Sequence, residues 1–429
     1  MYIDSTYLLT ALYKSCHHSY FIVKKVTKIL IVLVLHEIGI MGDHIHMKFA
    51  KTLMTILGIW PVKLTGWKMI LYNTYFYTSY VYYILYDISQ GAMVFIEKGD
   101  FLETAGNLGV LIVYVINIYK VYLCRSVAIR DIIREIEIKE SLILKSNDEM
   151  IKKIYYSHVN SALLSARYYV CLGSVGISLY FISPIVNNLI EKTTENKYLI
   201  FNSWFPFDSD KHYVYAYLIQ FFGGFYGYAY IVYAGAFFFG ILTYCVGQIK
   251  ILQHTFRNIN KYIAQRARKD DGLTQKQSQE MFVKLCIREH QHIIRLVERL
   301  DNCIKTFMLL EFLTSSFQLS LVVYQILQSS GFGIERVKVI DYLITLCSQL
   351  FIFYWNAHTI IIESTGLAQA IFESDWYTLN KEAKEMLLFV MRRAQKPIGI
   401  SIGPIYKVKV DALIGIFKAI YSYVAIIQK

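Results

Sequence analysis

Residues 213–245 read YVYAYLIQFFGGFYGYAYIVYAGAFFFGILTYC, thirty-three positions without one charged side chain. A bilayer core needs roughly 20 apolar residues of helix, so this stretch crosses a membrane with residues to spare. We expect it to continue into the cytoplasm as helix. Working outward, six more stretches qualify, at about 69–88, 104–124, 162–186, 304–328, 339–362 and 408–427. The first is the least apolar, with seven tyrosines and Asn73. The expected fold is an all-α membrane protein of seven transmembrane helices. Ile29–Leu35 is too short to span, and its late start and missing A-x-A site argue against a cleaved signal.

The chain is 55% hydrophobic and 18% charged, which does not suit two or three soluble domains. A net charge of +12 would fit nucleic acid, yet the basic residues are confined to particular connections. That confinement reads as membrane orientation, so no nucleic-acid partner is expected. Residues 1–67 and the connections between spans two and three, four and five, and six and seven hold most of the Lys and Arg. The opposite side has Lys98, Lys192, Lys197, Lys211, Arg336 and Lys338, roughly a fifth as many. The basic side is cytoplasmic, which puts the amino terminus inside and Lys429 outside. A G-protein-coupled receptor has the reverse topology. None of the seven cysteines falls in an expected external loop, so no structural disulfide is expected there.

The cytoplasmic connections carry helical patterning. Residues 126–160 alternate Ile and Leu with charges, and Ile249, Leu252, Phe256 and Ile259 form a stripe. A polar break from Arg268 to Gln279 precedes a second helix through Leu285, His292 and Leu296. We expect these helices to form a cytoplasmic anchor bundle in preference to lying on the inner membrane surface. Residues 1–46 match nothing later in the chain, while Met47 opens MKFAKTLMTILGIWP like a natural start. Two readings stand for them, an extension added by gene prediction or part of a fold that otherwise runs over 47–429.

No enzyme is expected. His36-Glu37 lacks a second histidine, and the pairs His44/His46 and His290/His292 point apart on a helix, so neither metal nor cofactor is expected. Gly223, Gly224 and Gly227 lie inside a span, where small residues admit close helix packing. Polar residues within spans each need a partner or water. Those considered are Asn107, Asn117, Lys120, Arg167, Glu311, Gln349 and Asn356. Lys120, Arg167 and Glu311 sit near cytoplasmic ends, where snorkelling or pairing is expected. Asn107 and Gln349 lie deeper, and for these pocket lining and helix–helix hydrogen bonding both stay open.

Three motifs carry a family resemblance. Leu57-Gly58-Ile59-Trp60-Pro61 before the first span and Trp204-Phe205-Pro206-Phe207-Asp208 in the second external loop resemble signatures of insect odorant receptors. The third runs from Ala370-Ile371-Phe372 and Asp375-Trp376-Tyr377, through Leu387 to Val390 and Arg393-Ala394-Gln395-Lys396-Pro397, to Tyr421-Ser422-Tyr423. The resemblance covers roughly residues 47–429 and is nearest in style to receptors of ants, bees and wasps. It implies a tuning subunit that assembles with a co-receptor into a heterotetrameric, odorant-gated cation channel in olfactory neuron dendrites. Membrane lipid and small volatile hydrophobic ligands are the other implied partners.

That resemblance places a pocket among the outer halves of spans two to six. Counting inward from the external ends gives Asn107, Leu111, Tyr114, Ser178, Phe181, Tyr217, Phe221, Ser320, Tyr324, Tyr342, Thr345 and Gln349, a mostly apolar and aromatic set. It also implies that the seventh span lines the pore. There Val424, Ile427 and Gln428 fall at i, i+3, i+4 and share a face. Bulky apolar residues on such a face can gate by dewetting, while a lipid- or protein-facing stripe is the alternative. A gustatory-type channel of the same superfamily is disfavoured by an ending that stops short of that group's T-Y-h-h-h-h-Q-F pattern. A secondary transporter is disfavoured by the lack of internal repeats.

Overall fold

The computed structural model describes residues 45–62, 64–96, 101–191, 197–268, 274–328 and 333–427. Seven long helices occupy the seven expected positions: α2 (Trp67–Ile96), α3 (Phe101–Arg125), α5 (Glu149–Glu191), α6 (Tyr213–Arg257), α8 (Gln275–Gln328), α9 (Ile334–Phe372) and α11 (Val410–Ile427). Four of them, α5, α6, α8 and α9, are long and apolar enough to span on composition alone. In α2 the tyrosines dilute the apolar signal, and the helix packs against α3 and α6. Shorter helices complete the chain: α1 (Lys48–Ile56), α4 (Val127–Leu144), α7 (Ile259–Ala267) and α10 (Lys381–Ala394). A two-stranded hairpin, Ser401–Ile402 with Tyr406–Lys407, precedes α11.

Helix α6 is the axis of the bundle, and α1, α2, α3, α5, α8 and α9 all pack against it. Its small residues explain how bulky neighbours approach. The Tyr86 ring sits where a Cβ on Gly223 would be, and Tyr114 occupies the corresponding space at Gly227. The outer faces show the reverse of a soluble protein: Leu164, Ile190, Tyr215 and Trp355 are all exposed, whereas Lys120, Gln318 and Ser320 are buried. An exposed apolar surface of this extent on long helices is a lipid-facing surface.

At 45 residues α6 is roughly 68 Å long by helix rise, more than twice a bilayer core. The excess length of α5, α6, α8 and α9 joins α4 and α10 in one packed bundle. Ile129, Ile132, Ile133 and Ile136 of α4 are buried, as are Leu387, Val390 and Ala394 of α10. The anchor region is therefore a bundle, as expected. The single helix expected over 126–160 is instead two. Asp148 accepts from the amides of Met150 and Ile151 at 2.9 and 3.2 Å, starting α5 afresh after a turn. Likewise no separate helix covers 285–296, because α8 runs unbroken from Gln275 into its span.

Ile45 and His46, just ahead of Met47, are held by the bundle. The amides of Ile45 and His46 donate to one oxygen of Glu140 at 2.8 and 3.0 Å. The His46 ring meets the Gly240 carbonyl at 2.8 Å. Residues 1–44 lie outside the described residues. The amino-terminal motif closes this region: Gly58 ends α1 at φ +73°, where an added Cβ would meet Phe76 at 3.0 Å. Arg125 donates to the Gly58 carbonyl at 2.8 Å and lies over the Phe76 ring.

His290, on the part of α8 that precedes its apolar span, is 5% exposed. Burial, and secondarily the Arg393 guanidinium, depress its pKa from 6.5 to about 4. The unfolded chain therefore binds the proton first. Stability is full above about pH 6.5 and declines as pH falls toward 4, by about 1.4 kcal/mol per unit from this one group. Thermal melts of the solubilised protein between pH 7.5 and 5 should show the decline. His290→Leu should flatten it, and an unchanged slope in that variant would assign the effect elsewhere.

Candidate ligand cavity

A cavity of about 90 Å³ opens between α3, α5, α6 and α9, at the end of the bundle that carries the loop over 197–212. One water needs only about 10–15 Å³ of such space. Its walls follow from helix spacing. Gly173, Gly176 and Tyr180 share a face of α5, and the two glycines give the room that Tyr180 bounds. Tyr228, Ile231 and Val232 come from α6, Tyr114 from α3, and Asp341, Tyr342 and Thr345 from α9. The loop contributes Phe201, whose ring stacks on Tyr180 at 5.6 Å, while Tyr342 meets Tyr180 edge-on at 6.3 Å. The Phe201 loop is held by Gln220, which accepts from the Ile200 amide at 2.8 Å. The tryptophan of the loop motif is tied to α2, its amide donating to the Ser89 carbonyl at 3.1 Å.

Of the expected pocket residues, Tyr114, Tyr342 and Thr345 line this cavity. Phe181 and Phe221 instead pack on each other at 4.3 Å between α5 and α6, and Tyr217 donates to the Phe181 carbonyl at 2.7 Å. Ser178 and Ser320 bond back to their own helices, at Ser174 and Ser316, both at 2.7 Å. Leu111 packs toward Gly91 of α2, and Tyr324 does not line the cavity. The side chain of Asn107 lies outside the described residues, as do those of Val424 and Ile427 and the whole of Gln428.

Gln349 belongs to a polar network below the cavity. It accepts from the Tyr169 hydroxyl and donates to Glu311. Lys120 is the cationic neighbour of Glu311, donating as well to the Ile231 carbonyl at 3.3 Å. The interior polar residues thus find one another across α3, α5, α8 and α9, which is how ionisable groups survive inside a membrane. Arg167 lies over the Phe49 ring, and Asn356 accepts from Thr243 at 3.2 Å.

Counting by depth missed Asp341, Tyr180, Tyr228, Phe201 and the two glycines. A G-x-x-G-x-x-x-Y spacing at 173–180 is visible in the sequence and marks one helix face. Nothing in it says that Phe201, from a loop, covers the opening.

Seven helices with apolar outer faces around an aromatic cavity define a polytopic membrane protein. Its fold matches the insect olfactory receptor OR5 of Machilis hrabei, solved in complex with eugenol, with a TM-score of 0.71 over 89% of this chain and 97% of that one at 14% identity. The chain belongs to the 7tm odorant receptor family, whose model matches residues 100–421. Among its relatives, Odorant receptor Or2 of Anopheles gambiae is 26% identical over 147 residues, 34% of this chain and 39% of that protein. The odorant receptor coreceptor of Harpegnathos saltator is 31% identical over 157 residues, 36% of this chain and 32% of that protein. The matched stretches thus span between 32% and 39% of these relatives' own length.

Proposed function

We propose that this chain is an odorant receptor that takes a small volatile ligand into the cavity beneath Phe201. With a co-receptor it forms a ligand-gated, non-selective cation channel in the plasma membrane of olfactory sensory neurons. The observation that carries this reading is the aromatic cavity at one end of the odorant receptor fold. Mostly apolar walls with few polar groups suit a hydrophobic small molecule. Coreceptors among the relatives support a heteromeric partner. The pore is assigned to the end of α11, with Val424, Ile427 and Gln428 facing the conduction path.

Whole-cell currents test this directly. Cells expressing the chain with a co-receptor should respond to members of an odorant panel, and cells expressing either alone should lack that response profile. Ile427→Ala should raise basal current with little change in ligand potency, because a narrower side chain lets the constriction wet. Odorant-independent currents identical with and without this chain would refute the reading.

The inverted orientation has its own test. An antibody to a tag after Lys429 should stain intact cells, whereas a tag ahead of Ile45 should stain only after permeabilisation. The opposite pattern would overturn the assignment from basic connections.

A further inference from the structure

Asp341 is the one acidic side chain in the cavity wall, and it is out of place there. Its Oδ2 is sealed from solvent and, among the described residues, has no hydrogen-bond partner. The oxygen lies directly over Gly176, where any side chain would collide with it, so the glycine gives it room without giving it a hydrogen-bond donor. Asp341 has no ion-pair partner among the described residues. Lys338, one turn earlier on α9, is taken by Glu335 and rests over the Tyr180 ring at 5.1 Å. One turn on, Thr345 presents a second buried oxygen, its hydroxyl, also without a partner. The Tyr342 hydroxyl between them already accepts from Gln318.

A buried carboxylate oxygen with no donor is costly. Native proteins keep such groups mainly where something else satisfies them. Here the surroundings are the rings of Tyr114, Tyr180, Tyr228, Tyr342 and Phe201, which suit an apolar ligand body and tolerate a cationic head. We propose that the cavity selects ligands whose head group donates a hydrogen bond, with Asp341 as acceptor and Thr345 as the adjacent polar contact. The class is small aromatic or aliphatic alcohols and amines, against ketones, aldehydes and hydrocarbons of the same size. The inference rests on the odorant receptor reading and deepens it.

The test uses the full chain expressed with a co-receptor and a shape-matched set: 2-phenylethanol, 2-phenylethylamine, phenylacetaldehyde and propylbenzene. A broad odorant panel runs alongside. The alcohol and the amine should act at concentrations at least ~10-fold lower than the aldehyde and the hydrocarbon, as a hydrogen bond to a charged acceptor implies. At matched surface level, Asp341→Leu should erase that ranking. Asp341→Asn keeps shape and an acceptor, and should spare the alcohol while removing the amine's advantage. Equal or better responses to the aldehyde or hydrocarbon in the unmodified chain overturn the inference, as does a ranking that survives Asp341→Leu. Silence to all four probes with responses elsewhere on the panel also overturns it and leaves the receptor reading standing. Silence to every odorant refutes the receptor reading itself.

Discussion

A Thr345→Phe receptor should reach the cell surface at its normal level and yet need about 100-fold more agonist, or fail to respond. Among the described residues the Thr345 hydroxyl has no partner, so removing it breaks no hydrogen bond seen there. The side chain faces a cavity of only about 90 Å³, and a phenyl ring there displaces ligand volume directly. A 100-fold loss corresponds to about 2.7 kcal/mol of binding free energy, the order expected when a buried ligand loses much of its contact area. Phe221→Ala is the internal comparison, since Phe221 packs on Phe181 outside the cavity wall. It should cost stability more than potency. Dose–response curves at matched surface expression decide the matter. Unchanged potency in Thr345→Phe would move the ligand to a different site.

Glu140→Ala should destabilise the protein more than any single change in the cavity. Glu140 is fully buried in the bundle that α4 completes and accepts from the Ile45 amide, the His46 amide and the Tyr155 hydroxyl, the last at 2.6 Å. Alanine leaves two buried donors, the His46 amide and the Tyr155 hydroxyl, and the half-buried Ile45 amide without this acceptor. At roughly 1–3 kcal/mol each, the loss approaches the roughly 5–15 kcal/mol that holds a typical fold together. The amino-terminal segment should detach from α4 and α6, and the solubilised protein should melt well below the unmodified chain or aggregate. Glu140→Gln keeps one carbonyl oxygen and should lie between the two. A melting temperature within a degree or two of the original for Glu140→Ala would show that this segment does not stabilise the bundle.

Some of this molecule is written in local sequence. The uncharged run at 213–245 made α6 a spanning helix, because no other backbone arrangement satisfies its polar groups in lipid. The other six helices were found on the same argument, to within a few residues at most ends inside the bilayer. The stripe Ile249, Leu252, Phe256 and Ile259 announced a packed extension beyond the span, and all four are buried. The motif around Gly58 was likewise visible, since a left-handed turn favours a residue without a Cβ. Beyond the apolar stretches, at the amino-terminal ends of α5 and α8 and at the carboxy-terminal end of α6, where it was expected, hydropathy falls while helix continues. Charged residues end a membrane span without ending a helix.

The cavity was legible only in part, and for a physical reason. Depth along a helix is a local property, and it found Tyr114, Tyr342 and Thr345. Rotation about the helix axis is set by neighbours, so Phe181, Phe221 and Tyr217 came out at the right depth but paired with each other. Ser178 and Ser320, also chosen by depth, satisfied their hydroxyls within their own helices. Asp341 stood at the edge of its expected span, where an acid reads as a helix end. Only the packing of Gly176 against it, beside an aromatic cavity that Phe201 helps to line, leaves it a buried acceptor without a partner. The composition of the spans thus determined that this chain folds as a membrane-spanning bundle. Which faces meet, and which oxygen is left without a partner, was decided by close packing between residues far apart in the chain.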